Sequence, residues 1–184
     1  MEIEEAIRSR SSVKKFTETP VARALIEKCL DLATWAPNHH MTEPWRFRVV
    51  SGQERNRLAE MIIEQEFGML ADNPSGSQAE HIRNRLMSAP SLVVVYSMHG
   101  ENATMTRENF AATAAAVQNL LLAAQQLGLG TIWRTAAYFD RPPVKEFLQA
   151  PAASDFVAAV YIGYAIQKES FRQRTSYQDM TIWR

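Results

Sequence analysis

Cysteine is nearly absent. Cys29 is the one thiol in 184 residues, so no intramolecular disulfide framework holds this chain, and a reducing compartment is expected. With Leu25, Ile26 and Leu30 around it at helical spacing, Cys29 reads as a packed thiol rather than a nucleophile. Net charge is also missing: 20 Lys and Arg balance 20 Asp and Glu, which removes any global attraction for nucleic acid or an anionic membrane. No apolar run is long enough to span a bilayer, because Gln118 and Asn119 interrupt the longest candidate. The acidic opening MEIEEAI lacks the basic-then-apolar layout of a secretory signal, and a cytoplasmic protein is the expectation.

Several chemistries lack their residues. The four histidines, His39, His40, His81 and His99, never fall at the i,i+4 spacing of a helical zinc site, so no metal is expected. There is no Gly-x-Ser-x-Gly elbow for a serine hydrolase and no Walker loop for a nucleotide phosphate. Gly128-x-Gly130 follows a helical stretch rather than a strand and has no third glycine, so it is not a dinucleotide fingerprint. If the chain uses a nicotinamide, a Rossmann unit does not hold it.

What is present centres on Glu108 to Thr135, ENFAATAAAVQNLLLAAQQLGLGTIWRT. Alanine-rich and free of Gly and Pro as far as Leu127, it predicts a helix apolar enough for a core or a subunit interface. Gly128 ends that helix, and Gly130 opens a short strand through Thr131, Ile132 and Trp133, with Arg134 and Thr135 behind. Upstream, a short helix around Ile3, Ala6 and Ile7 gives way to a cationic, hydroxyl-rich loop at 9–16. A second helix follows Thr19-Pro20 and ends at Ala36-Pro37. A polar turn, Asn38 to Pro44, leads into a strand at Trp45–Ser51. An amphipathic helix covers Gln53–Met69, the breaker cluster Asp72–Ser77 is a lid or a plain loop, and another helix runs to about Met87. Leu92–Met98 and Phe156–Gly163 read as strands buried on both faces, separated by the central helix and a short helix after Pro142-Pro143. Irregular alternation of strands and helices predicts one α+β domain over 1–184, a three-layer sheet flanked by helices with an arm from about 164. The apolar end, Ile182-Trp183, calls for a dock in its own core or on a partner.

Two basic clusters stand out. Arg10, Ser11, Ser12 and Lys14 place two cations, two hydroxyls and loop amides within five positions, the mixture a terminal phosphate needs. Arg172 and Arg174 share one side of an extended segment and suit the same anion. Two solvated surface patches are the plain alternative.

Arg10-Ser11-Ser12-Val13-Lys14-Lys15-Phe16, Ala36-Pro37-Asn38 and Glu43-Pro44-Trp45-Arg46-Phe47, taken in order, resemble the nitroreductase family. Gly128-Leu129-Gly130-Thr131-Ile132-Trp133 is similar to the Gly-x-Gly-x-x-Trp of its short bacterial-type members. Gly163-Tyr164 and the Arg-x-Arg at 172–174 match its C-terminal strand and phosphate clamp. The likeness runs from end to end. It implies a three-layer nitroreductase-like fold with a central mixed or antiparallel sheet, and a homodimer with FMN at the interface and the C-terminal arm crossing to the partner. By position it implies that Arg10, Ser11, Ser12 and Lys14 hold the phosphate and ribityl chain, completed by Arg172 and Arg174. Trp133, Arg134 and Thr135 then lie along the isoalloxazine, and Trp35 and His39 reach it from the other subunit. The reaction implied is ping-pong: NAD(P)H supplies hydride, and a nitroaromatic, quinone-like or other flat acceptor takes the electrons. No catalytic side chain is expected.

The chain departs from the family where Ser, Asn and Gln are usual and Asn38, Met41 and Glu43 stand instead. Met41 offers no amide, and an ionised Glu43 facing the ring disfavours an anionic reduced flavin. Two alternatives remain at this stage: a flavin-binding protein without turnover, and a flavin-dependent dehydrogenase or oxidase on the same scaffold.

Overall fold

The computed structural model describes residues 2–67, 76–166 and 173–184. Its centre is a four-stranded sheet in the order β1-β2-β4-β3, antiparallel throughout. β1 spans Trp45–Ser51, β2 Ser91–Met98, β3 Gly130–Arg134 and β4 Ser154–Gly163. The two continuous apolar strands, β2 and β4, take the middle, where both faces are covered. β1 and β3, shorter and with polar residues interleaved, take the edges.

Helices form the outer layers. On one face α5 (Ala103–Gln126) and α2 (Arg23–Ala33) pack over Val93, Val95, Val160 and Ile162. On the other, α3 (Glu54–Phe67), α4 (Gly76–Met87) and α6 (Pro142–Phe147) lie near Leu92, Val94, Tyr96 and Tyr161. The three-layer α+β architecture expected from the sequence is therefore present, with the mixed or antiparallel alternative resolved as antiparallel. α1 (Ile3–Ser9) touches the C-terminal part of α5, where the Gln125 amide donates to Ser9 Oγ at 2.5 Å.

Three boundaries differ from the sequence reading. α5 begins at Ala103 rather than near Glu108, because Asn102 caps it, its side chain accepting from the Met105 N–H at 3.0 Å. α2 ends at Ala33, three residues before Ala36, as Thr34, Trp35 and Ala36 close into successive tight turns on Asp31, Leu32 and Ala33. Of the breaker cluster, Asp72 to Ser75 lie outside the described residues, while Gly76 and Ser77 already begin α4. The stop after α5 is as expected. Gly128 sits at φ +78° and donates to Gln125 O, while the Leu129 N–H reaches back to Ala124 O, the bonding of a Schellman motif.

Candidate functional site

The hydroxyl-rich loop after α1 docks on the outer edge of β3. Ser12 bridges Thr131 in parallel, the Val13 N–H donates to Thr131 O at 2.9 Å, and Phe16 bridges Ala165. Val13 and Phe16 are the buried anchors, which leaves Ser12 and Lys14 exposed and Arg10 and Ser11 half-buried beside the strand. The loop thus presents its polar side chains outward from an apolar footing. Arg10 makes no ion pair with any described residue, and the same holds for Arg174 in the exposed segment 173–184. Arg172 lies outside the described residues.

Beyond Thr131 the outer edge of β3 has no neighbouring strand among the described residues. Because backbone groups alternate sides along a strand and Thr131 O faces the loop, the N–H and C=O of Trp133 face the same unpaired edge. The side chains of Trp133 and Arg134 diverge. The Trp133 indole packs on the α5 face and donates to Val157 O at 3.2 Å. The Arg134 guanidinium lies over the Tyr161 ring on the opposite face, 4.7 Å from its centroid. Burial pushes the Tyr161 phenol up, so it stays neutral under the cation. Adjacent in sequence, the Trp and Arg side chains do not share a pocket. Thr135 follows, exposed.

A second cluster forms where the chain passes from α2 to β1. Trp35 is 79% exposed. After it, Pro37, Asn38 and His39 form one wall of an open cleft of about 530 Å³, and Glu108, Ala111, Ala112 and Ala115 of α5 form the other. Small alanines give that wall a flat apolar surface. The His39 and His40 rings lie with centroids 3.8 Å apart, tilted by 45° to one another. His40, Met41 and Glu43 all adopt left-handed backbone, at φ 59°, 53° and 43°. Met41 and Glu43 direct exposed side chains to solvent within this chain.

A polar relay that the sequence reading missed holds this turn. Asn38 Oδ1 accepts from the Glu43 N–H at 2.6 Å. Asn38 Nδ2 donates to His39 O and to Thr42 Oγ1, Thr42 Oγ1 donates to Asn109 Oδ1 at 2.7 Å, and Asn109 Nδ2 donates to Met98 O. Asn109 is buried on α5. Its signal in the sequence was slight: one amide at the start of an otherwise apolar helical stretch. Among the described residues no group of three or more His, Cys, Asp or Glu is placed to hold a metal, and no helix is long and apolar enough to cross a membrane.

Comparison with known proteins places this geometry in context. The family model described as "Nitroreductase family" matches residues 7–164. The chain is 30% identical over 182 residues to the "Putative NAD(P)H nitroreductase YfhC" of Bacillus subtilis, covering 96% of this chain and 91% of that protein. Among solved structures, a nitroreductase-like family protein from Bacillus cereus superposes with a TM-score of 0.88 at 27% identity, over 100% of this chain and 96% of that one. A nitroreductase from Desulfovibrio desulfuricans, described as putative and solved in complex with FMN, shares the fold with a TM-score of 0.74 at 24% identity, covering 100% and 97% of the two chains.

Proposed function

Since the chain belongs to the nitroreductase family, we propose that it is an FMN-dependent oxidoreductase that takes hydride from NAD(P)H and reduces flat acceptors such as nitroaromatics or quinones in alternate half-reactions. The observation that carries this reading is the edge of β3. One end is occupied by a loop rich in hydroxyls and cations, and the other, at Trp133, has no neighbouring strand among the described residues.

The residues fit FMN by their donor chemistry. Arg10, Ser11, Ser12 and Lys14 supply charge-assisted and hydroxyl donors for the phosphate, and Arg174, with Arg172, supplies further cations. A few residues of extended strand, at about 3.3 Å each, separate the loop from Trp133 to Thr135. That spacing suits a ribityl chain between a phosphate and a planar ring. The Trp133 N–H and C=O then offer hydrogen bonds to the ring edge. When bound, FMN supplies the redox chemistry; the chain's part is to hold it, exclude water on one face and leave the other open. No side chain here is required as an acid or base.

The same reading makes the protein a homodimer. Exposed Trp35, Met41, Met180, Ile182 and Trp183 need a covering surface, and a second copy supplies one, with Trp35 and His39 of each subunit facing the other's flavin. The domain then comprises 1–184, with an arm from about 164 that crosses over.

The visible absorption spectrum of the purified protein tests this first. Flavin bands at about one FMN per chain, and NAD(P)H oxidation that depends on a nitroaromatic or quinone, are the expected results. A protein that stays colourless and leaves added FMN fluorescence unquenched overturns the cofactor assignment. A flavin-loaded protein without turnover leaves binding standing and removes the reductase.

A further inference from the structure

Buried tyrosine hydroxyls are nearly always hydrogen-bonded, and two neighbouring ones here are not. Tyr161 of β4 is fully buried, and Tyr138, in the short turn after β3, is half-buried, yet both hydroxyl oxygens are out of contact with solvent and neither has a partner. The phenols lie near enough to influence each other's charge without forming a hydrogen bond of normal geometry. Two guanidinium groups face them. Arg134 of β3 lies over the Tyr161 ring, 4.7 Å from its centroid, and Arg85 of α4 is within electrostatic reach of both phenols. Burial pushes both phenols up, and the two arginines pull the other way without overcoming it. Neither guanidinium makes an ion pair or a hydrogen bond with a described residue. The acidic group nearby is Glu66, at the end of α3, and its carboxylate is neutralised by the Arg141 guanidinium 2.9 Å away.

What converges here is a set of donors without an acceptor. A guanidinium laid on an aromatic ring is fixed in its plane and keeps its edge N–H groups for an anion. A neutral phenol has its own O–H to donate. We propose that Arg85, Arg134, Tyr138 and Tyr161 form a binding site for a small oxyanion, a phosphate or carboxylate group, on the face of the sheet opposite α5. The site lies at the end of β3 away from Thr131, where the Arg10–Lys14 loop docks, and it does not rest on the flavin reading. The anion accepts charge-assisted hydrogen bonds from the two arginines and gives the phenols the acceptor that the fold itself does not supply. Because the hydroxyls are out of solvent, only a group that sheds its own water reaches them, which favours a single small oxyanion over an extended polyanion.

Calorimetric titration of the purified protein with sodium phosphate and, separately, with sodium acetate, at constant ionic strength made up with chloride, tests the site. Expected is saturable binding of at least one of the two, weakened about tenfold by Arg85→Gln and by Tyr138→Phe and unchanged by Arg10→Ala. Tighter binding of phosphate identifies a phosphoryl ligand, and tighter binding of acetate a carboxylate. Tyr161→Phe gives a second reading from thermal melting. Without either anion, the variant is relieved of an unpaired hydroxyl and should melt at or above wild type; with saturating anion, wild type should gain more than the variant. Three results overturn the proposal: no binding of either anion; binding lost in Arg10→Ala but intact in Arg85→Gln and Tyr138→Phe, which puts the anion on the loop; or a Tyr161→Phe protein that melts below wild type without anion, which shows the hydroxyl satisfied by an internal water.

Discussion

Gly130 lies opposite Gly163 in the β3–β4 register, and both leave room for the loop that follows α1. A Cβ on Gly130 would come within 2.8 Å of Val13 Cγ2. One on Gly163 would come within 2.5 Å of Pro90 Cδ and 3.1 Å of Phe16 Cδ1. Val13 and Phe16 are the two buried anchors of the loop bearing Arg10, Ser11, Ser12 and Lys14. The paired glycines therefore set how closely that loop approaches the sheet. Gly130→Ala and Gly163→Ala are each expected to cost about 1–3 kcal/mol from overpacking, read as a lowered melting temperature. In the flavin reading they also weaken FMN binding beyond what the stability loss explains. Full flavin occupancy in a destabilised Gly130→Ala protein would show that loop placement tolerates the shift.

Arg10 and Arg174 test the phosphate assignment directly. Neither forms an ion pair with a described residue, so removing either leaves no partner charge stranded, and folding should change little. A charge-assisted hydrogen bond to phosphate contributes about 1.5–3 kcal/mol, so Arg10→Ala and Arg174→Ala should each weaken FMN about ten- to hundredfold by fluorescence titration. If both variants purify with full flavin, the phosphate lies elsewhere.

The elements were legible from the sequence where periodicity and breakers agreed. Trp45–Ser51 matches β1 residue for residue, and Leu92–Met98 and Phe156–Gly163 fall within β2 and β4. Strand order was not legible, because pairing between Gly130 and Gly163 or between Trp45 and Ser97 leaves no local trace. At the site, the cationic loop could be recognised because its residue types are themselves the signal. The divergence of Trp133 and Arg134 follows from the two-residue period of a strand. The left-handed turn at His40 and Met41 had no such cue: glycine usually marks positive φ, and here side-chain hydrogen bonds from Asn38 substitute for it. Its support at Asn109 is 67 residues away from Thr42.

Cys29 gives a pH signature. It is buried between α2 and α5, and desolvation pushes its thiol up to about 11 from an ordinary value of 9.0. The folded state thus holds its proton over a range where the unfolded chain has released it. Stability from this group is complete below pH 9 and declines as pH rises toward 11, by about 2–3 kcal/mol in all. Tyr96 and Tyr161, also pushed up by burial, add their own losses above pH 10, so the comparison must be internal. Denaturant unfolding of wild type and Cys29→Ala between pH 8 and 11 should give a steeper decline for wild type. Equal slopes would mean that the thiolate finds stabilisation inside the fold. Native alkylation at pH 8 should correspondingly be slow.

The C-terminal segment tests the proposed homodimer. Residues 173–184 are exposed throughout, and Ile182 and Trp183 are 82% and 84% accessible. Two adjacent large apolar side chains this exposed call for a surface that covers them. Burying each such side chain contributes about 1.5–3 kcal/mol, and twofold symmetry counts every contact twice. Losing Ile182 and Trp183 from both subunits therefore removes at least about 6 kcal/mol of gross association energy, roughly four orders of magnitude in Kd. The variant Ile182→Asp/Trp183→Asp should run as a monomer in light scattering at micromolar concentration, with far-UV circular dichroism unchanged because the segment adds nothing to the core of its own chain. If flavin sits at the interface, the same variant also loses FMN, although every residue of the Arg10–Lys14 loop is intact. A dimer that survives the double substitution would assign the interface to α5 and the cleft alone, and the arm would then have to cover its own subunit.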